Sequence, residues 1–296
     1  MDQSRLGGPS TQSFTYDNLY RLTSAHGEYS VSANKTDSYL LSMSYDTLHN
    51  LTAKSQRHVI TIGDGGHEQV QGRITYSQTY DFTSRPHAPE TIGADRLRYD
   101  ADGNLVDRVT ETPGGPRRQQ IWDEDNRLAC VHDNAKNETL PQTPASCDQP
   151  GKPPSVRFRY DDQGGRSVKD GAQTVLYPNQ NYTARNQAEF KHVFVGTTRL
   201  ATKTAKSGNS YEKDQFYYHG DRLGSTGFGT DAAGKLAEHV NYFPTGETWV
   251  DEQPGEKNPY LFSGKEFDEE TGYYNYGARH YDPRSSLWQS ADPADT

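Results

Sequence analysis

The sequence predicts an all-β chain, a strip of tandem antiparallel hairpins forming a curved or spiralling sheet. Three observations carry that prediction. A turn motif recurs in which Asp is followed five positions later by an apolar residue. The chain is rich in aromatics yet only 31% hydrophobic. No stretch of a dozen residues has strong helical periodicity.

The motif comes first, because a chain with so little apolar mass is searched for self-similarity before anything else. It reads "YDNLYRL" from Tyr16, "YDTLHNL" from Tyr45, "YDADGNL" from Tyr99 and "WDEDNRL" from Trp122. It returns as "TDAAGKL" from Thr230, "FDEETGY" from Phe267 and "YDPRSSL" from Tyr281. The residues five after Asp are Leu22, Leu51, Leu105, Leu128, Leu236, Tyr273 and Leu287. "YDDQGGRSV" from Tyr160 reads as an eighth copy with its apolar residue slipped to Val168, and "YHGDRLGS" from Tyr218 as a looser ninth. The spacing has a mechanical reason. An aromatic ends one strand, the Asp carboxylate accepts a nearby backbone N–H, Gly or Asn takes the left-handed conformation, and the apolar residue opens the return strand. Flanking segments such as "RLRYD", "SVRFRYD" and "DQFYYHG" alternate as strands do.

Composition bounds the remaining possibilities. With 20 Tyr, 10 Phe and 3 Trp, the chain is unlike disordered sequences, which lack aromatics. A thin sheet held by cross-strand aromatic pairs such as Tyr273, Tyr274 and Tyr276, with solvent on both faces, fits these numbers. The net charge of −9 disfavours nucleic acid as a partner. No apolar run approaches the roughly 20 residues of a membrane helix, and "MDQSRLGGPS" lacks the basic-then-apolar order of a signal peptide. Cys130 and Cys147 bracket a Pro-rich polar stretch and read equally as a disulfide or as two free thiols. The expected organisation is a tail over 1–13, the hairpin strip over 14–209 with a loop insertion at 130–155, and a distinct region over 210–296.

Few motifs point to chemistry. "GTDAAGKL" from Gly229 has the Gly and Lys spacing of a phosphate loop, but Leu236 stands where Ser or Thr must hold magnesium. "HEQVQ" from His67 has Gln71 in place of the second zinc-binding His. No Cys or His set has metal-ligand spacing, so neither a cofactor nor a metal is expected.

The "YDxxGNL" repeats resemble the YD repeats of RHS proteins, the toxin-complex C components and the teneurins. The stretch "SGKEFDEETGYYNYGARHYDP" resembles the core domain that closes such arrays, with its Gly-Lys-Glu, Gly-Tyr-Tyr and Ala-Arg-x-Tyr-Asp in order. The resemblance implies a β-sheet wall that coils into a hollow shell around a C-terminal toxin. The implied partners are the rest of the shell and that toxin, with self-association through open sheet edges. Localisation would be secreted, or delivered by a bacterial toxin system. In that family the core is an aspartyl autoprotease, whose two carboxylates share a proton and act as base and acid. By resemblance Asp282 and Asp292 are the candidate carboxylates, with Arg279 holding or orienting one of them. Family cores run on to a second motif, "DPxGL", where cleavage occurs. The present sequence closes on "ADPADT", so the expectation is a segment that builds and does not cut. A surface that binds glycans or proteins through Trp249 or Trp288 is the third reading.

Overall fold

In the computed structural model, residues 6–63, 66–135, 146–148, 151–186, 188–206, 214–255 and 257–293 are described. The architecture is all-β, and every pairing among the described residues is antiparallel. Among the described residues twenty-one strands belong to a large sheet ordering and four to a small sheet, and no pairing there closes the large one into a barrel. The chain divides into two compact units, one ending at Leu97 and the other starting at Arg98.

In the first unit β1 (Ser10–Tyr16), β2 (Leu22–Ser32), β3 (Lys35–Tyr45) and β4 (Leu51–Ile62) form a meander, each strand paired with the next. The far half of β4 pairs with β5 (His67–Val70) and its near half with β6 (Tyr76–Asp81). Burial alternates along β2 to β4, so one face is lined by Tyr29, Tyr39, Leu41 and, unexpectedly, by fully buried Lys54 and Gln56. The strand β1 begins at Ser10 and is exposed at every position. In the second unit the meander runs through thirteen strands, from β9 (Leu105–Thr110) to β21 (Thr248–Glu252), each paired with its neighbour in sequence. Strand pairing continues across position 209, where the strands Thr198–Lys206 and Asp214–Gly220 pair.

The Asp motif is one recurring turn. The Oδ1 of Asp17 accepts the N–H of Leu19 and of Arg21, both at 2.9 Å. The same two bonds, to the residues two and four further on, recur at Asp46, Asp100, Asp123, Asp161, Asp221 and Asp231. The third residue after Asp has positive φ in each copy, for example Gly103 at 84° and Asn126 at 58°. Tyr20 and His49 hold that place at φ 60° and 67°, a conformation that disfavours residues with a Cβ and that the doubly bonded carboxylate enforces. The residue five after Asp begins the next strand every time: Leu22, Leu51, Leu105, Leu128, Leu236.

Three details differ from the sequence reading. In the copy at Asp161 the register does not slip to Val168: Arg166 itself opens the strand Arg166–Asp170. The turns at Asp268 and Asp282 keep the five-residue spacing, but their left-handed residues fall one place later, at Gly272 and Ser286. A further turn at Phe243 has the same backbone bonds, Phe243 with Glu247 and Gly246 with Phe243, and no Asp at all.

Successive turns are locked to one another. At four turns the aromatic just before the Asp position donates to the carbonyl of the strand-opening residue of an earlier turn. Tyr45 reaches Leu22, Trp122 reaches Leu105, Tyr160 reaches Leu128, and Tyr242 reaches Thr226, at 2.8 to 2.9 Å. Where the fourth residue after Asp is Arg, its guanidinium lies over the next aromatic: Arg21 over Tyr45 and Arg127 over Tyr160.

The second unit is not one sheet thick with solvent on both sides. The small sheet, β22 (Glu266–Asp268), β23 (Tyr273–Asn275), β24 (His280–Asp282) and β25 (Leu287–Trp288), packs on the meander. Tyr273 enters a cluster with Leu128, Val131, Val156 and Phe158, while Tyr274 joins Val240 and Leu261. Adjacent strand residues face opposite sides, so the small sheet is buried on both faces and supplies a core that the composition alone did not suggest. Cys130 and Cys147 form a disulfide across the insertion.

Candidate functional site

The C-terminal segment that carries the candidate carboxylates lies along the turns of the second unit. The N–H of Leu105 donates to the carbonyl of Gln289 at 2.8 Å, and Gln289 donates to His280. A Cβ on Gly103 would come within 3.2 Å of Ala291.

Asp282 is buried, at 4% exposure. Its Oδ1 accepts the N–H of Arg284 at 2.9 Å and of Ser285 at 3.3 Å. Its Oδ2 accepts the Ser285 hydroxyl at 2.7 Å and the Arg108 guanidinium at 3.0 Å. Burial pushes this carboxyl up, but Arg108 and the Ser285 bonds together hold it below the ordinary aspartate value. Asp282 is therefore an ionised, four-times-bonded turn anchor.

Arg279 and Asp292 are brought together, Nη2 to Oδ2 at 2.7 Å, in a pair with 22% and 38% side-chain exposure. The Arg279 guanidinium lies 4.1 Å over the Trp288 ring, which also meets Tyr276 and Tyr281. Thus the structure joins Arg279 to Asp292, and gives Asp282 a different arginine. Beside them a groove of about 580 Å³ runs past three successive turn tips, at Asn104, Asn126 and Gln163, and past Ala278 and Pro293. Among the described residues no group of three or more His, Cys, Asp or Glu is placed to hold a metal.

A second charged constellation was missed in the sequence. Arg166, 3% exposed, grips both oxygens of Asp268 at 2.8 and 2.7 Å. Lys169 lies 3.1 Å from Asp268 and 3.5 Å from Glu270, and the Tyr177 hydroxyl donates to Glu266 at 2.6 Å. His280 faces Arg166 at 3.0 Å. Burial and Arg166 hold its imidazole down to about 3, so it is neutral and accepts from the guanidinium. Burial alone would raise Asp268, but Arg166 and Lys169 pull it below its usual value. Glu266, less well paired, is raised by burial. The signal that could have found this cluster is Arg166 itself, a charge standing where no other turn of the motif begins its strand with one. Arg108 carried no comparable mark.

Of the two tryptophans considered for surface binding, Trp249 is buried at 5% beside Phe243, and Trp288 is 38% exposed under Arg279.

These features define a protein of tandem YD turns with a core region docked on its own strip. No family model matches the chain. Toxin subunit YenC2 of Yersinia entomophaga is 39% identical over 85% of this chain and 31% of its own length. Toxin subunit YenC1 of the same organism is 25% identical over 96% of this chain and 31% of its own. The tRNA nuclease WapA of Bacillus subtilis is 25% identical over 87% of this chain but only 10% of itself. The chain thus spans about a third of the toxin subunits it matches. Among solved structures, TcdB2-TccC3-TEV superposes with a TM-score of 0.69 at 20% identity, over 96% of this chain and 14% of that one. Over most of its length the chain is thus similar to toxin subunits of this kind, and its fold is that of the TcdB2-TccC3 structure.

Proposed function

We propose that this chain forms part of the wall of a shell that encloses a toxic polypeptide, within a secreted or machine-delivered bacterial toxin. The observation that carries the reading is the locked turn. At four turns an aromatic, and at two of them an arginine as well, ties the turn back to an earlier one, so hairpins stack in sequence into a wall. Among the described residues the exposed strand Ser10–Tyr16 pairs only with β2, an edge that further strands of the shell or a second copy could extend. The test joins this segment to the remainder of a shell and a protease-sensitive reporter. Protection of the reporter from added protease supports enclosure, and digestion at the rate of free reporter overturns it.

A second reading, a self-cleaving aspartyl core, rests on the contact between Arg279 and Asp292. It assigns the dyad to Asp282 and Asp292, and requires Asp282 to leave its four donors. In a chain that carries a family-type tail after Thr296, Asp292→Asn abolishes cleavage if that assignment holds.

A further inference from the structure

The chain contains two Asp-Pro bonds, Asp282–Pro283 and Asp292–Pro293, and the fold treats them in opposite ways. We propose that Asp292–Pro293 is a self-cleavage site in acid, with the Asp292 carboxylate as nucleophile toward its own peptide bond, while the fold protects Asp282–Pro283.

The chemistry needs nothing beyond the residues present, acid and water. A carboxylate oxygen of Asp292 forms a C–O bond to its own main-chain carbonyl carbon, closing a five-membered cyclic anhydride. The C–N bond to Pro293 breaks, and its electron pair stays on the proline nitrogen, which takes a proton from the acidic solvent and leaves as a secondary ammonium. Water then opens the anhydride, giving OH to one carbonyl and its other hydrogen to the second oxygen or to solvent. Asp292 is left as a free C-terminal residue. The attack is intramolecular, so the reacting groups are already at high effective concentration.

Both steps need freedom and access. Asp292 is half-buried, Pro293 is exposed, and Pro293 lines the open groove along the turn tips. The Arg279 pair that holds the Asp292 carboxylate lies at the surface, where such a pair restrains a side chain only about five-fold. At the other bond both Asp282 and Pro283 are buried. The Asp282 carboxylate is occupied by two backbone N–H groups, the Ser285 hydroxyl and Arg108. To attack its own carbonyl it would first have to break all four bonds, which requires local opening of the strand His280–Asp282 and its turn.

The experiment incubates the chain in acidic buffer in which circular dichroism shows the sheet intact, and follows intact mass. Expected is a fragment ending at Asp292, formed at least about ten-fold faster than one ending at Asp282, as protection by local structure implies. In denaturant the two rates converge. Pro293→Ala, which leaves a poorer leaving group, slows the cut, and Asp292→Asn abolishes it. Asp282→Asn leaves it in place, whereas the shared-proton dyad demands its loss, so the two mechanisms separate. If Asp282→Asn unfolds the chain, Ser285→Ala tests the protection directly: it loosens the Asp282 lock and speeds only the Asp282–Pro283 cut, and an unchanged rate there overturns the proposal. Equal rates at the two bonds in the folded chain, or a cut at 292 that survives Asp292→Asn, overturns the proposal.

Discussion

The hydroxyl of Tyr160 donates to the main-chain carbonyl of Leu128, 32 residues earlier, at 2.8 Å. Leu128 is fully buried, so this one bond satisfies an acceptor that water cannot reach.

Tyr160→Phe therefore costs about 1–3 kcal/mol, the loss of a hydrogen bond at a buried carbonyl where no water can replace the hydroxyl. Tyr45→Phe, in the first unit, removes the same kind of lock to Leu22, which is only partly buried, and costs less. Urea unfolding of the two variants tests the ordering, and equal, negligible losses would show that the locks contribute nothing.

The Arg166–Asp268 pair leads to an asymmetric result. Asp268→Asn removes the bidentate partner of a buried guanidinium, leaving it only Glu266 at 3.6 Å as charge partner, and destabilises by about 3–5 kcal/mol. Replacing both residues by apolar ones of similar size recovers most of that loss. A double variant no more stable than Asp268→Asn would refute the account.

Acid weakens the docking of the small sheet. His280 has its ordinary value of 6.5 when unfolded and about 3 when folded, so the unfolded chain gains a proton that the folded one refuses. Its stabilisation is complete above pH 6.5 and is lost as pH falls toward 3. Asp268, with its lowered value, adds to the loss at the acid end. Native-state hydrogen exchange of β22–β24 against pH follows this directly.

Glu238 works in the other direction. It is buried and raised to about 7 from 4.5, with burial the cause and Arg199 and Asn258 only partly offsetting it. Its stabilisation is present below pH 4.5 and disappears as pH rises through 7. Glu238→Gln should flatten the pH profile in that window by roughly 1–3 kcal/mol. An unchanged profile means that the carboxyl does not titrate there.

The disulfide closes a loop of 17 residues, and Cys147→Ser costs up to about 3 kcal/mol through the freed unfolded chain. Thermal unfolding with and without reductant measures it.

The sheet was legible because its turns are local. An Asp that bonds N–H groups two and four residues on needs no distant partner, so Asp17 and Asp123 announce their turns in seven-residue windows. The copy at Phe243 was invisible for the same reason, since its backbone follows the pattern without the side chain that marks it. The small sheet's burial was not legible, because Tyr273 and Tyr274 look like exposed ladder residues until Leu128 and Val240 are seen to cover them. Of the candidate site, the neighbourhood of Arg279 and Asp292 could be reached from a thirty-residue stretch. Arg108, 174 positions before Asp282, could not.

Strand order that follows chain order throughout the long meander also governs how such a wall can change over generations. Duplicating or deleting one whole hairpin between two locks alters only the two seams at its borders and leaves every other pairing partner as it was. Losing a single strand instead reverses the direction of all that follow. Gene length in such a wall should therefore drift in steps of a hairpin, and the stretches that the small sheet clamps, around Arg118, Arg166 and Leu105, should be the ones where such steps are forbidden.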